Sequence, residues 1–313
     1  MARRTSQRSI GFRLSPNAEG ALWMLSSTAT FSLMACIVKF TGEHYPPAVQ
    51  GFYRHAAGLI LMIPVILRLR GEAYRTTRPL LMTFRVVANT ISILLTFYAF
   101  AEMPLAAANG LVFTRALWLA PMAMIFLGEK AGPLRIAAVL IGFAGVVVML
   151  GPTAILGLKL DLPALAVLTA AFLQALVVLG VKATTKDTSP IVLMVWSMTF
   201  GTLLLTPFAV REWVWPDPLS LALLSATGAI ALVTQITFLK AMQVGDASAM
   251  APMDYFRLIF SAILGFIFFH EVPTLWTFIG GVVVAGSTLF VTLREQQLAE
   301  RGRRRALDPE ADS

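Results

Sequence analysis

The sequence holds one cysteine, Cys36, and three histidines, His44, His55 and His270. A lone thiol excludes an intramolecular disulfide framework and a cysteine-based metal cluster. The histidines lie in different segments, with no His/Cys/carboxylate grouping at metal-ligand spacing around them. A phosphate loop is missing too: "LGEK" at 127–130 lacks both the upstream glycine and the downstream Ser or Thr. These gaps argue against ATP-driven transport within the chain, metal catalysis and a bound cofactor. Charge is also scarce, at 13% of residues, against about 25% in soluble chains.

What fills the space is apolar. Hydrophobic residues make up 57% of the 313, gathered in runs of about 20, each long enough to cross a hydrocarbon layer about 30 Å thick. Punctuation by Pro, Gly and charge ("GEHYPP", "GEKAGP", "FHEVP") divides the chain into ten spans: 19–40, 47–68, 80–101, 105–127, 133–151, 162–182, 190–210, 219–240, 247–269 and 273–293. In lipid only helices or closed barrels satisfy the backbone, and the runs lack the alternation of barrel strands. The expected fold is an all-α polytopic membrane protein. The first run is too long for a signal-peptide core. "IVKF" after Cys36 is no polar tether, so a lipoprotein cleavage site is not expected either.

The net charge of +8 does not point to nucleic acid, because the basic residues stand between spans and at both ends. With both termini cytoplasmic, only Lys39, Lys159 and Arg211 fall on the far side, and Arg54, Arg85, Arg115 and Arg257 fall within spans. The expected location is the cytoplasmic (inner) membrane, with residues 1–18 and the tail 294–313 in the cytoplasm.

The halves repeat. Pro47, Gly58 and Pro64 match Pro190, Gly201 and Pro207 at an offset of 143. Ala99, Arg115 and Glu129 match Ala241, Arg257 and Glu271 at 142. Five spans per half put the second copy upside down, so residues 19–151 and 162–293 are expected as two inverted five-helix repeats. Such repeats recur in secondary transporters with a midplane site.

Two stretches carry a further likeness: "FYAFAEMPLAAANGLVFTRALWLAPMAMIFLGEK" (97–130) and "FLKAMQVGDASAMAPMDYFRLIFSAILGFIFFHEVP" (238–273). They resemble the drug/metabolite transporter superfamily, in its ten-helix branch with two EamA-type repeats. The second copy departs from the family's closing Gly-Glu with His270-Glu271. The resemblance covers about residues 19–293. It implies ten helices around a central cavity and alternating access by rocking halves. The family moves amino acids, purines, nucleotide-like metabolites, vitamins and drugs, so the resemblance leaves the substrate open.

Ionisable groups inside spans are expensive and mark candidate sites. Arg115 and Arg257 are repeat-related and near mid-span. They either line a cavity and attract an anionic group or are locked to a neighbouring helix. Asp254, matched by Val112, either neutralises Arg257 at i,i+3 or exchanges partners with a proton or a substrate amine. Arg85, Asn89, Ser92 and Thr96 share one helix face, with Thr227, Thr234 and Gln235 in the related span; the stripe either faces water or bonds neighbouring helices. Arg85 is near enough to the cytoplasmic end to snorkel. Arg54 reaches either the outer interface or the cavity, and His55 is either packed or a proton carrier. Trp118, Tyr98, Tyr255 and Trp196 either stack on a flat ligand or pack. Glu129 and Glu271 are expected to cap or anchor the helices that follow them. Ala138, Gly142, Gly145, Gly281 and Ala285 suit close helix packing or a homodimer seam.

The substrate-binding set expected from sequence is Arg115, Arg257, Asp254, Asn89, Ser92, Trp118, Tyr255 and Gln235. The expected function is secondary transport of a small organic metabolite with an anionic group, amino-acid-like or S-adenosylmethionine-like. The alternatives are a carrier of a flat neutral vitamin or drug, riboflavin-like, and a membrane-embedded enzyme.

Overall fold

The computed structural model describes residues 16–127, 133–157, 161–184, 189–244, 250 and 253–307. The first repeat holds α1 (Pro16–Gly42), α2 (Pro47–Leu69), α3 (Pro79–Glu102), α4 (Leu105–Val112), α5 (Arg115–Leu127) and α6 (Pro133–Gly157). The second holds α7 (Leu162–Thr184), α8 (Pro190–Arg211), α9 (Pro218–Val244), α10 (Phe256–Phe269) and α11 (Leu275–Leu307). A 3-10 turn, Arg70–Tyr74, follows α2. Proline opens α2, α3, α6, α8 and α9, where its missing N–H has no helical partner to lose. Asp217 caps α9 by accepting from Leu219 N–H (3.1 Å) and Ser220 N–H (3.3 Å).

Among the described residues five helices are long and apolar enough to cross a membrane, and five shorter apolar ones of 10–17 residues accompany them. Apolar side chains such as Ile60, Leu67, Leu140 and Phe278 are more than half exposed, as a lipid-facing surface requires. We call the end where α1 begins the proximal face and the other end the distal face.

The packing obeys the internal symmetry. Helix α1 lies on α9, and its repeat mate α7 lies on α3. The self-related pairs α2–α8, α4–α10 and α6–α11 are all formed. Phe113 and Tyr255, matched at the offset of 142, meet with ring centroids 4.9 Å apart. The symmetry is broken around α9: α1 and α2 pack on α3, but α7 and α8 make no comparable packing on α9 among the described residues.

One sequence expectation is revised. The fourth span is not continuous: α4 ends at Val112 and α5 begins at Arg115. Thr114 Oγ1 donates to Leu111 carbonyl (2.7 Å), and the backbone tightens to i,i+3 bonds at Phe113, Thr114, Ala116 and Leu117. A matching turn at Tyr255 precedes α10. Beyond the tenth span, α11 runs on past 293 to Leu307, so the stretch expected as a cytoplasmic tail begins as a helix. Of the small residues, Gly142 and Gly145 pack tightly within the chain, whereas a Cβ on Gly281 would meet nothing within 4 Å. A Cβ on Gly280 would lie 2.5 Å from Met149 N and 2.6 Å from Gly145 O, so α6 and α11 approach backbone to backbone.

Candidate functional site: a central cationic cavity

Helices α1, α2, α3, α7 and α9, with the broken α4–α5 and α10, enclose a cavity of about 210 Å³. Its lining includes Phe31, Arg54, Asn89, Arg115, Gln235 and Arg257. A second recess of about 360 Å³ continues toward the proximal face between α2, α3, α8 and α9. It shares Arg54, Asn89, Ala231 and Gln235 with the first and reaches Pro190 at the start of α8. A larger apolar hollow of about 420 Å³, lined by residues such as Ile259, Ile263 and Phe278, offers almost no polar group.

Breaking the mid-span helices sets the arginines at the start of new helices. Arg115 is the first residue of α5 and Arg257 the second of α10. Arg257 Nη2 lies 2.9 Å from Asp254 Oδ1, and Arg115 Nη2 lies 3.8 Å from Asp254 Oδ2. One carboxylate therefore bridges both repeat-related arginines, across helices as well as along one. The Arg257 guanidinium also stacks 4.0 Å from the Phe31 ring centre. Arg257 Nε is shielded from solvent with no partner.

Of the remaining expected residues, Asn89 Oδ1 accepts from Gln174 Nε2 (3.3 Å), and both line the cavity with Gln235. Ser92 is fully buried and donates to Ala170 carbonyl (2.9 Å), tying α3 to α7. Trp118 packs edge-on to Phe143 and Phe172, away from the cavity. Tyr255 stacks on Phe113 and borders the apolar hollow. Arg85 does not snorkel: its Nη2 donates to Leu193 carbonyl (2.8 Å) and Ser197 Oγ (3.0 Å), because α8 offers acceptors closer than the interface. Arg54 turns inward over Phe97 at 5.8 Å. His55 is buried against Gly51 carbonyl (2.8 Å) and packs at Gly201.

At the distal end a clamp of charged contacts ties α1 to the start of α4 and the end of α10. Lys39 Nζ pairs with Glu271 Oε1 (2.8 Å) and donates to Met103 carbonyl (2.9 Å), while Glu271 Oε2 accepts from Leu105 N–H (2.9 Å). Glu271 therefore caps α4, not the helix that follows it. The geometry comes from His270, which takes a left-handed conformation (φ 55°) while Glu271 N–H bonds Gly265 carbonyl (3.1 Å). Glu129 lies outside the described residues. Beneath the clamp, Asn109 donates to Ser261 (2.9 Å), Ser261 to Ser32 (3.3 Å) and Ser32 to Arg257 carbonyl (3.3 Å). This chain joins α1, α4 and α10. Gln174, Phe31 and the clamp were not picked out as site residues from the sequence, although Gln174 is conspicuous as a lone amide within α7.

Two inverted halves of membrane-spanning helices around a polar, arginine-lined cavity define a small-molecule transporter. Residues 18–151 and 162–293 each match the EamA-like transporter family, and the chain belongs to that family, within the drug/metabolite transporter superfamily. Its relatives include a riboflavin transporter of Rhizobium johnstonii, 28% identical over 95% of this chain and 98% of that one. An S-adenosylmethionine uptake transporter of Rickettsia prowazekii is 27% identical over 89% and 94%. A pseudopaline exporter of Pseudomonas aeruginosa is 26% identical over 85% and 93%. One crystal structure shares the fold, with a TM-score of 0.60 at 17% identity, covering 88% of this chain and 97% of that one.

Proposed function

We propose that the chain is a secondary carrier, and not an enzyme, for a small organic metabolite bearing an anionic group, moved by alternating access. The observation that carries this reading is the pair Arg115 and Arg257, which line a cavity at the helix breaks and share the Asp254 carboxylate. The trio has a net charge of +1, and its two members in the lining offer an anion two guanidinium forks. An amino-acid-like zwitterion fits that polarity. The basic residues gathered at the proximal side support placing that face in the cytoplasm, as in an inner-membrane protein with both termini inside. The clamped distal end and the recess reaching Pro190 then correspond to an inward-open state.

A second reading is favoured by Phe31, Phe97 and Phe100 in the lining and by the relative named a riboflavin transporter: a flat, neutral vitamin stacked on aromatic faces. Counterflow in proteoliposomes separates the two. Saturable exchange of an anionic or zwitterionic metabolite, lost in R115Q and R257Q, supports the first reading. Saturable exchange of a neutral flat compound that survives both substitutions supports the second. Linear, non-saturating flux sinks the carrier idea.

A further inference from the structure

The arginines of the cavity are not equally compensated. Arg115 and Arg257 share Asp254, and Lys39 has Glu271. Arg54 and Arg85 have no carboxylate within ion-pair distance among the described residues. Arg54 Nε and Nη1 are out of solvent with no hydrogen-bond partner, and so is Arg85 Nε. The bonds Arg85 does make go to a carbonyl and a hydroxyl, both neutral. A guanidinium does not shed its proton to escape burial, so both remain cations in a membrane interior where an unpaired charge is costly. Among the described residues no Asp or Glu lines either part of the cavity.

We propose that Arg54 and Arg85 build a second oxyanion subsite in the recess between α2, α3, α8 and α9, and that the transported molecule carries two separated anionic groups. This rests on the reading that Arg115, Arg257 and Asp254 form the first subsite. Arg54 stands where the two parts of the cavity join, so one molecule touches both subsites without crossing a barrier. Asn89, Gln235 and Ser197 supply neutral hydrogen-bonding groups along the way. Arg85, also bonded to α8, anchors the proximal end, while Arg54, lying over the Phe97 face, has Nε and Nη1 without hydrogen-bond partners. The substrate class is an amino acid or related metabolite with an added carboxylate or phosphate. A phospholipid headgroup offers the same oxyanion chemistry.

The test uses full-length protein in neutral detergent at low ionic strength, with paired probes that differ by one oxyanion: serine against O-phosphoserine, and norleucine against α-aminoadipate. Binding is read by calorimetry or ligand-induced thermal shift. The dianionic member of each pair is expected to bind about tenfold or more tightly than its partner, the size of one charged hydrogen-bonded contact. R54Q should abolish that advantage, R85Q should reduce it and R54K should retain most of it. R257Q weakens both members equally if the first subsite is as proposed. If R257Q leaves both unchanged while R54Q still removes the advantage, the first-subsite reading fails and this one stands. No dianion advantage in the wild type, or an advantage undiminished in R54Q and R85Q, overturns the second subsite. Native mass spectrometry showing one retained anionic phospholipid, lost in R85Q, together with no dianion advantage, overturns it in favour of a lipid.

Discussion

Glu271→Gln isolates the charge of the distal clamp, because the amide oxygen still accepts from Leu105 N–H while the ion pair to Lys39 disappears. Both side chains are under a fifth exposed, so the pair is neither a surface bridge, worth about 0–1 kcal/mol, nor fully buried, where removing one partner costs about 3–5 kcal/mol. Lys39 keeps Met103 carbonyl and the face of Phe269 at 5.4 Å, which holds the expected loss to about 2 kcal/mol. That shifts the closed-to-open ratio at the distal end by about thirtyfold. The chain carries its own reporter: Cys36, its sole cysteine, lies one helical turn before Lys39 and is 6% exposed, packed with Phe97 and Phe100. Maleimide labelling of Cys36 in detergent should quicken at least tenfold in E271Q and in K39M. The double swap K39E/E271K should not restore slow labelling, because it sets a carboxylate against Met103 carbonyl and an ammonium against Leu105 N–H. Labelling rates within twofold of wild type in both single variants, or full rescue by the swap, would refute the argument that this ion pair holds the end shut.

Asp254→Asn leaves Arg115 and Arg257 facing each other without a shared carboxylate. The change should lower stability by about 2–4 kcal/mol and raise affinity for simple anions, seen as a stronger thermal shift with chloride or sulfate. Asn109→Ala breaks its bond to Ser261 and should cost about 1 kcal/mol, read from the melting temperature in detergent. Gly280→Leu drives a side chain into the α6 backbone and should cost about 1–3 kcal/mol, with Gly280→Ala less harmful than Leu but worse than wild type. At the distal surface, Ser220 and Leu219 hydrogen bonds hold the Asp217 carboxyl below its ordinary value. Its stabilising effect is therefore present above the usual carboxylate range and fades as the pH falls through the lowered value. D217A should flatten that acid limb of a stability profile.

The ten spans were legible because chain length, hydropathy and the placement of Pro, Gly and charge all report the same boundary. The repeat was legible through its polar punctuation. Orientation of side chains was much less so, for a physical reason: lipid tails are as apolar as leucine, so an apolar helix does not announce which face turns inward. Asn89, Gln235, Arg115 and Arg257 turn toward the cavity, whereas Ser92 on the same stripe as Asn89 is consumed by α7, and Trp118, one turn from Arg115, packs outward on Phe143 and Phe172. The pairing of Asp254 with Arg257 could be read from i,i+3 spacing. Its reach to Arg115 could not, since it depends on the breaks at Thr114 and Tyr255, and the charges beside those breaks read equally well as residues within one continuous apolar span. Arg85 misled for a related reason, as distance to the interface says nothing of a carbonyl on the next helix.

Among the described residues α7 and α8 pack on α9 less than α1 and α2 pack on α3, and this has a thermodynamic consequence under the proposed cycle. If the two halves trade places, the interface lost on one side is regained on the other with matched partners, and most of the packing energy cancels between the end states. What remains is a small remainder set by positions where the halves differ, such as Asp254 opposite Val112. Resting conformation would then be governed by a handful of unmatched side chains, and a point substitution could reset it without touching the architecture.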